Sequence, residues 1–170
     1  HKEGIQTQFV NVDGITRINV FTKVVSTSEE FKLVNQGPSV SQLQEEALLK
    51  IIENMNTEDF LFVSGSHPEG ITYTTYEKIA KAAQLRRFKL ILDTCADFVP
   101  DLLKYRPYLI KPNDEELAEW FGLINPSLEE IKDCGQKLLE KGAENVLVSL
   151  GEKGAIIFTP TETINVTAPK

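Results

Sequence analysis

The chain has 170 residues, 41% of them hydrophobic and 25% charged, with a formal net charge of −7. That is the make-up of one soluble globular domain or of part of a larger one. With no basic stripe to offset the charge, nucleic acid is not an expected partner, and no apolar stretch is long enough to span a bilayer.

The first segment reads as β-rich. Gln8–Val12 and Thr16–Val25 alternate or run apolar, with Asp13-Gly14 as a turn between them. Phe31–Val34 follows a polar break. From Ser41 the period changes. Ser41 with Gln44 has the spacing of a capping box, and Leu43, Ala47, Leu48, Ile51 and Ile52 then recur at helical spacing. Phe60–Val63 is a short strand ending in Ser64-Gly65-Ser66. Thr74 with Glu77 is expected to cap the next helix, and Lys89–Leu92 forms a strand ending at Asp93. A short helix over Phe98–Tyr105 leads to a strand at Tyr108–Ile110. Ser127 with Glu130 caps a helix stopped at Gly142. Val146–Leu150, Gly154–Thr159 and Thr163–Val166 read as further strands. Strand and helix alternate from Ser41 to Leu150, the signature of a mostly parallel sheet covered by helices.

In such a sheet the strand ends share one edge, and ligands bind there. The most informative end is Tyr108 to Leu117. Pro112 biases Lys111 to an extended conformation and ends the strand. Asn113 and Glu116 then have capping-box spacing, which any helix start can use. Lys111 beside them adds a second reading. A cation, an amide and a carboxylate at one helix mouth suit a phosphate ligand with Mg²⁺, which favours oxygen ligands and retained waters.

The other candidates are weaker on spacing alone. Gly151 to Gly154 is a glycine-bracketed turn that serves two strands or a ligand equally well. Ser64 to Pro68 is a loop that offers backbone N–H groups to an anion, with His67 read as a surface residue. Arg17, inside an apolar run, points to solvent or reaches an anion. Asp93 reads as a structural strand end and Cys134 as core. Cys95 and Cys134 stand outside any Cys-x-x-Cys pair, there is no N-terminal secretory h-region, and a reduced, cytoplasmic setting is expected.

Five stretches taken in order carry a resemblance: Thr16-Arg17-Ile18-Asn19-Val20, Asn35-Gln36-Gly37-Pro38, Ser64 to Gly70, Lys111 to Leu117, and Val148 to Ala155. Together they resemble the PfkB (ribokinase-like) carbohydrate kinases, in the branch that holds 1-phosphofructokinase and tagatose-6-phosphate kinase. The resemblance implies a three-layer α/β/α fold with a mostly parallel sheet and a small β-sheet lid that makes a homodimer. Residues 1–36 would be the lid and 37–170 part of the core. It implies ATP and Mg²⁺ as cofactors and a sugar phosphate as substrate, fructose 1-phosphate being converted to fructose 1,6-bisphosphate. Arg17 and Asn19 would hold the substrate phosphate. Asn113 and Glu116 would arrange the metal, and Lys111, Ser149, Gly151 and Gly154 would bind the nucleotide.

Departures accompany the likeness. The family's Gly-Ala-Gly-Asp motif, whose Asp is the catalytic base, is absent and expected beyond Lys170, and the family's first strand is absent before His1. The chain is therefore read as an internal fragment, inactive alone. The usual Asp-x-Ser-Gly is Asp93-Thr94-Cys95-Ala96, and Gly-Ser-Leu-Pro is Gly65-Ser66-His67-Pro68. Rival readings are a kinase for another sugar phosphate or a nucleoside, and a module that binds a sugar phosphate without catalysis.

Overall fold

A computed structural model describes residues 4–168. The N-terminal part is less regular than its sequence pattern. Gln8–Val12 is not a strand: among the described residues no strand pairs with it, and the carbonyl of Asn11 accepts a hydrogen bond from the Gln44 side-chain amide at 2.9 Å instead. The next strand, β1 (Asn19–Val24), begins three residues later than the expected Thr16, which leaves Arg17 outside it. It pairs with β2 (Glu29–Val34) in an antiparallel hairpin with Val20 opposite Leu33 and Thr22 opposite Phe31. β2 starts earlier than the apolar run because Lys23 and Glu30, opposite each other, form a 2.9 Å ion pair. The hairpin is a sheet of its own. Phe31 and Leu33 are 59% and 65% exposed, and a two-stranded ribbon with an open apolar face is marginal in isolation.

The remaining strands form one six-stranded sheet in sequence order: β3 (Phe60–Ser64), β4 (Lys89–Asp93), β5 (Leu109–Ile110), β6 (Val146–Ser149), β7 (Ala155–Phe158) and β8 (Thr163–Val166). β3 to β6 are parallel, and β7 and β8 turn back antiparallel. The helices are α1 (Gln42–Ile52), α2 (Tyr73–Arg86), α3 (Val99–Leu102), α4 (Asp114–Phe121) and α5 (Leu128–Glu140). Adjacent parallel strands joined in order by right-handed crossovers place their helices over the same face. That face holds the core: Leu90, Leu92, Ile110, Val146, Val148, Ile156 and Phe158 pack with Ile52, Ile79, Leu117 and Leu138 from the helices. On the other face Phe60 and Phe62 are 48% and 65% exposed. The described residues thus contribute the sheet and one helical layer of the three-layer arrangement.

Capping decides where the helices start. Ser41 and Gln44 cap α1 reciprocally, and Ser127 and Glu130 cap α5. The start of α2 differs from expectation. Thr72, not Thr74, is the N-cap, and its N–H donates to the hydroxyl of the buried Thr75 at 3.3 Å. Glu77 is free for other partners: its carboxylate accepts from the Tyr105 hydroxyl at 2.7 Å and pairs with Lys81 at 3.0 Å. Among the described residues no helix is long and apolar enough to cross a membrane.

Candidate active site at the carboxyl edge of the sheet

The ends of β3, β4, β5 and β6 are stitched together by hydrogen bonds that continue past the strands. The N–H of Gly65 donates to the Asp93 carbonyl at 2.9 Å, and the N–H of Lys111 to the Leu92 carbonyl at 2.9 Å. The Pro112 carbonyl accepts from the Ser149 N–H at 3.1 Å, and Asn113 pairs with Ser149 as a parallel bridge. Proline ends the donor side of β5 but leaves its carbonyl free for the neighbouring strand. Lys111, Asn113 and Ser149 are thereby fixed side by side.

Asn113 is the N-cap of α4. Its Oδ1 accepts from the Glu116 N–H at 2.7 Å, and the Glu116 carboxylate accepts from the Asn113 N–H at 2.9 Å. The capping reading of this motif is therefore correct as local structure. It occupies one oxygen of Glu116, and both residues are half-buried at the edge. Lys111 is held from the other side by Asp93, with Nζ–Oδ1 at 2.9 Å and both side chains about two-fifths exposed (39% and 42%). The pair is accessible to solvent and open to a third, anionic partner.

The turn after β6 is tightly closed. The Leu150 N–H donates to the Gly154 carbonyl at 2.8 Å, and the Gly154 N–H to the Gly151 carbonyl at 3.0 Å. Both glycines have positive φ, +56° at Gly151 and +102° at Gly154, but for different reasons. A Cβ on Gly154 would lie 1.9 Å from the Val166 carbonyl oxygen, whereas a Cβ on Gly151 would meet nothing within 4 Å. Gly154 lets the turn cross the end of β8, and Gly151 leaves backbone open to a visitor. Next to the turn a cavity of about 610 Å³ is lined by Leu150, Lys153 and the first turn of α4, including Asp114 and Glu115.

A second, smaller cavity of about 360 Å³ opens between the hairpin and the β3 end, lined by Arg17, Asn35, Gln36, Gly37, His67 and Glu69. The Arg17 guanidinium also donates to the Ser66 hydroxyl. Gly37 lies beside its stem, where a Cβ would make ordinary contact with the Arg17 Cβ at 3.4 Å. Asn19, expected beside Arg17, pairs with Val34 in the hairpin and does not line this cavity. The two regions meet at one bond, because Ser66 follows Gly65, which is tied to Asp93, the partner of Lys111.

Two residues were not singled out as functional by sequence reasoning. Ser66 was one member of a loop, and Asp93 was read as a strand end. Asp93 had no local signal: it meets Lys111 because Leu92 pairs with Ile110, so the residues one step beyond share a register position. The cysteines contribute little. Cys134 is buried with its thiol pushed up by burial, and Cys95 is exposed. Among the described residues no three His, Cys, Asp or Glu side chains cluster as a metal cage.

The family model described as pfkB family carbohydrate kinase matches residues 1–170. The chain belongs to the pfkB family of carbohydrate kinases. It is 43% identical over 169 residues to a D-tagatose-1-phosphate kinase of Bacillus licheniformis, covering 99% of this chain and 55% of that relative. It is 36% identical over 169 residues to a 1-phosphofructokinase of Bacillus subtilis, with the same coverage. The fold matches the tetrameric inhibited form of phosphofructokinase-2 from Escherichia coli with a TM-score of 0.86 at 24% identity, over 99% of this chain and 56% of that one. That likeness establishes the ribokinase-like fold. The chain spans about half the length of these pfkB relatives. The tagatose kinase among them is named for the 1-phosphate rather than the 6-phosphate.

Proposed function

We propose that the full-length protein transfers the γ-phosphoryl group of ATP to the free terminal hydroxyl of a ketose 1-phosphate, giving the 1,6-bisphosphate, ADP and a proton. Fructose 1-phosphate is the first substrate in this reading. The observation that carries it is the pairing of two anion-suited places on one sheet edge. One is the Arg17 cavity, whose arginine bonds Ser66, and the other is the Lys111, Asn113 and Glu116 helix mouth, joined to it through Gly65 and Asp93. A kinase for an already phosphorylated sugar needs both, one for the remote phosphate and one for the nucleotide phosphates. A nucleoside kinase needs only the second. The 43% identity to a D-tagatose-1-phosphate kinase favours tagatose 1-phosphate as a second substrate reading, differing in one hydroxyl configuration.

In this reading Arg17 anchors the phosphate the sugar carries, with Ser66 as its neighbour, so remote binding energy orients the reacting hydroxyl. Asn19, at the start of β1 and outside the cavity lining, is proposed as a more distant member of this group. Lys111 meets the nucleotide phosphates, in exchange for part of its contact with Asp93. Ser149, Gly151 and Gly154 form the turn over which the nucleotide lies, with Gly151 the open position. Mg²⁺ fits the donor set at Asn113 and Glu116. This ion keeps waters and binds through one or two carboxylates plus substrate phosphates. Glu116 has one oxygen committed to its cap and one unassigned, and among the described residues no protein cage surrounds it. When bound, the ion would neutralise phosphate charge.

Residues 1–36, which contain the hairpin, are proposed as a lid and residues 37–170 as part of the core, with the hairpin's open apolar face as the contact of a homodimer. Ile18, Val20, Phe31 and Leu33 are each at least 48% exposed there. The free cysteines Cys95 and Cys134 fit a reduced, cytoplasmic setting. Because the chain spans about half the relatives' length, the activity is proposed for the full-length protein. The 170 residues alone are expected not to turn over sugar. The test of the site is Arg17→Ala in the full-length protein. Loss of a charge-assisted contact of about 1.5–3 kcal/mol should raise KM for the sugar phosphate about 10- to 150-fold, with KM for ATP little changed. An unchanged sugar-phosphate KM would sink the assignment.

A further inference from the structure

The wall of the Arg17 cavity carries an ionisable ring to which the reading above gives no task. His67 follows Ser66 directly and lines the cavity of about 360 Å³ with Arg17, Asn35, Gln36 and Glu69. Its loop is pinned on both sides. The Gly65 N–H donates to the Asp93 carbonyl at 2.9 Å, and the Glu69 carbonyl accepts from the Val40 N–H at 2.8 Å. Gly70 allows that crossing, because a Cβ there would stand 2.0 Å from the Val40 carbonyl oxygen. The ring is held as well. Its centroid lies 6.0 Å from that of Tyr76 and 5.8 Å from that of Phe98, and those two rings pack together at 5.0 Å. His67 nevertheless remains exposed. A rigid imidazole on the wall of a cavity whose cation is Arg17 is preorganised for an anion. Histidine is also the side chain whose charge ordinarily changes between about pH 5 and 8.

Resting on the ketose 1-phosphate reading, we propose that His67 is a proton-linked contact to the phosphorylated substrate. Protonated, the ring adds a second cation to Arg17 and tightens sugar-phosphate binding. Neutral, it leaves Arg17 to act alone, so affinity falls as pH rises through the histidine range. The charged groups that line the cavity with the ring are Glu69 and Arg17. Helix α2 presents Tyr76, whose hydroxyl is pushed up by burial, together with Tyr73 against Phe98. The loop that brings Phe98 carries Cys95 and Asp97. Asp93, beneath Gly65, is engaged by Lys111.

The experiment compares the full-length wild type with His67→Leu and His67→Lys, measuring KM for fructose 1-phosphate and for ATP at about pH 6 and about pH 8. The substrate phosphate itself titrates near pH 6, so the readout is the ratio between variants at each pH. At the lower pH the wild type should have a sugar-phosphate KM about three- to tenfold below that of His67→Leu, the effect of one partly exposed charged contact. The ratio should approach one at the higher pH. His67→Lys should keep the low KM at both, and KM for ATP should follow none of these changes. A ratio that does not change with pH, or a lysine variant that behaves like leucine, overturns the proposal. If no ketose 1-phosphate is turned over, the substrate reading fails separately. The His67 contact is then decided by titrating the ring's NMR resonance, assigned by its loss in His67→Leu, with inorganic phosphate. A raised midpoint supports the contact, and an unmoved one overturns it.

Discussion

The two glycines of the turn after β6 make a prediction with opposite signatures for stability and binding. Gly154 has φ +102° and ψ −134°, a region that side chains other than glycine rarely enter. Placing alanine there costs about 1–3 kcal/mol in backbone strain. The added methyl would also lie 1.9 Å from the Val166 carbonyl oxygen, 2.8 Å from the Thr167 Cα and 2.9 Å from the Ala168 nitrogen. All three are backbone atoms, so the end of β8 must move, a displacement comparable to core overpacking at about 1–3 kcal/mol. Gly154→Ala should therefore cost about 2–6 kcal/mol, a large share of a typical total of about 5–15 kcal/mol. Gly151 has φ +56° and open space around its missing side chain. Alanine there costs only about 1–2 kcal/mol for the left-handed backbone, but it puts a methyl on the surface offered to the nucleotide. Urea denaturation and steady-state kinetics on the full-length variants separate the two. Gly154→Ala should lose more stability than Gly151→Ala. Gly151→Ala should stay folded and raise KM for ATP, with KM for the sugar phosphate unaffected. If Gly151→Ala destabilises as much as Gly154→Ala, or leaves KM for ATP at the wild-type value, the division of labour argued from the geometry is incorrect.

Glu116→Gln should need more Mg²⁺ for half-maximal rate while unfolding at nearly the wild-type urea concentration, because glutamine still caps α4; a Mg²⁺ titration identical to wild type would reduce Glu116 to a cap. Asp93→Asn should leave Lys111 without its anion and change KM for ATP more than global stability, since the pair is exposed and contributes little to folding; an urea midpoint shifted as far as that of a core substitution would make the pair structural. The Tyr105 hydroxyl first, then Lys81, holds the Glu77 carboxyl at about 2, below its usual value of 4.5. The stability this ionised group supplies is therefore complete above about pH 4.5 and lost as pH falls toward 2, and NMR titration of Tyr105→Phe should show the Glu77 midpoint rising.

Much of this architecture is legible in the residues, for identifiable reasons. Ser41 with Gln44, Asn113 with Glu116 and Ser127 with Glu130 all form the reciprocal caps their spacing implies, because these bonds are local and need no tertiary partner. The start of α2 was misplaced by two residues because Thr72, Thr74 and Thr75 offer several hydroxyls, and burial of Thr75 selects one register. Gln8–Val12 was misread as a strand because alternation marks the wish for a partner strand, not its presence. The Asp93–Lys111 pair required knowing that β4 and β5 are parallel neighbours in a given register, which is non-local information. The Arg17–Ser66 contact spans 49 positions and was equally out of reach, although each residue stood in a noted stretch.

The central claim is that this sheet edge serves an ATP-dependent kinase of a ketose 1-phosphate. The most direct measurement is ADP release by the full-length protein with Mg²⁺ and ATP, supplied in turn with fructose 1-phosphate, tagatose 1-phosphate and unphosphorylated fructose. The account predicts ADP release that depends on a ketose 1-phosphate, collapses in Arg17→Ala at low sugar-phosphate concentration, and is absent with fructose. Tight binding of the 1-phosphates with no ADP release would mark a non-catalytic binding module instead. Equal turnover with and without the sugar's phosphate, unaltered in Arg17→Ala, would contradict the claim.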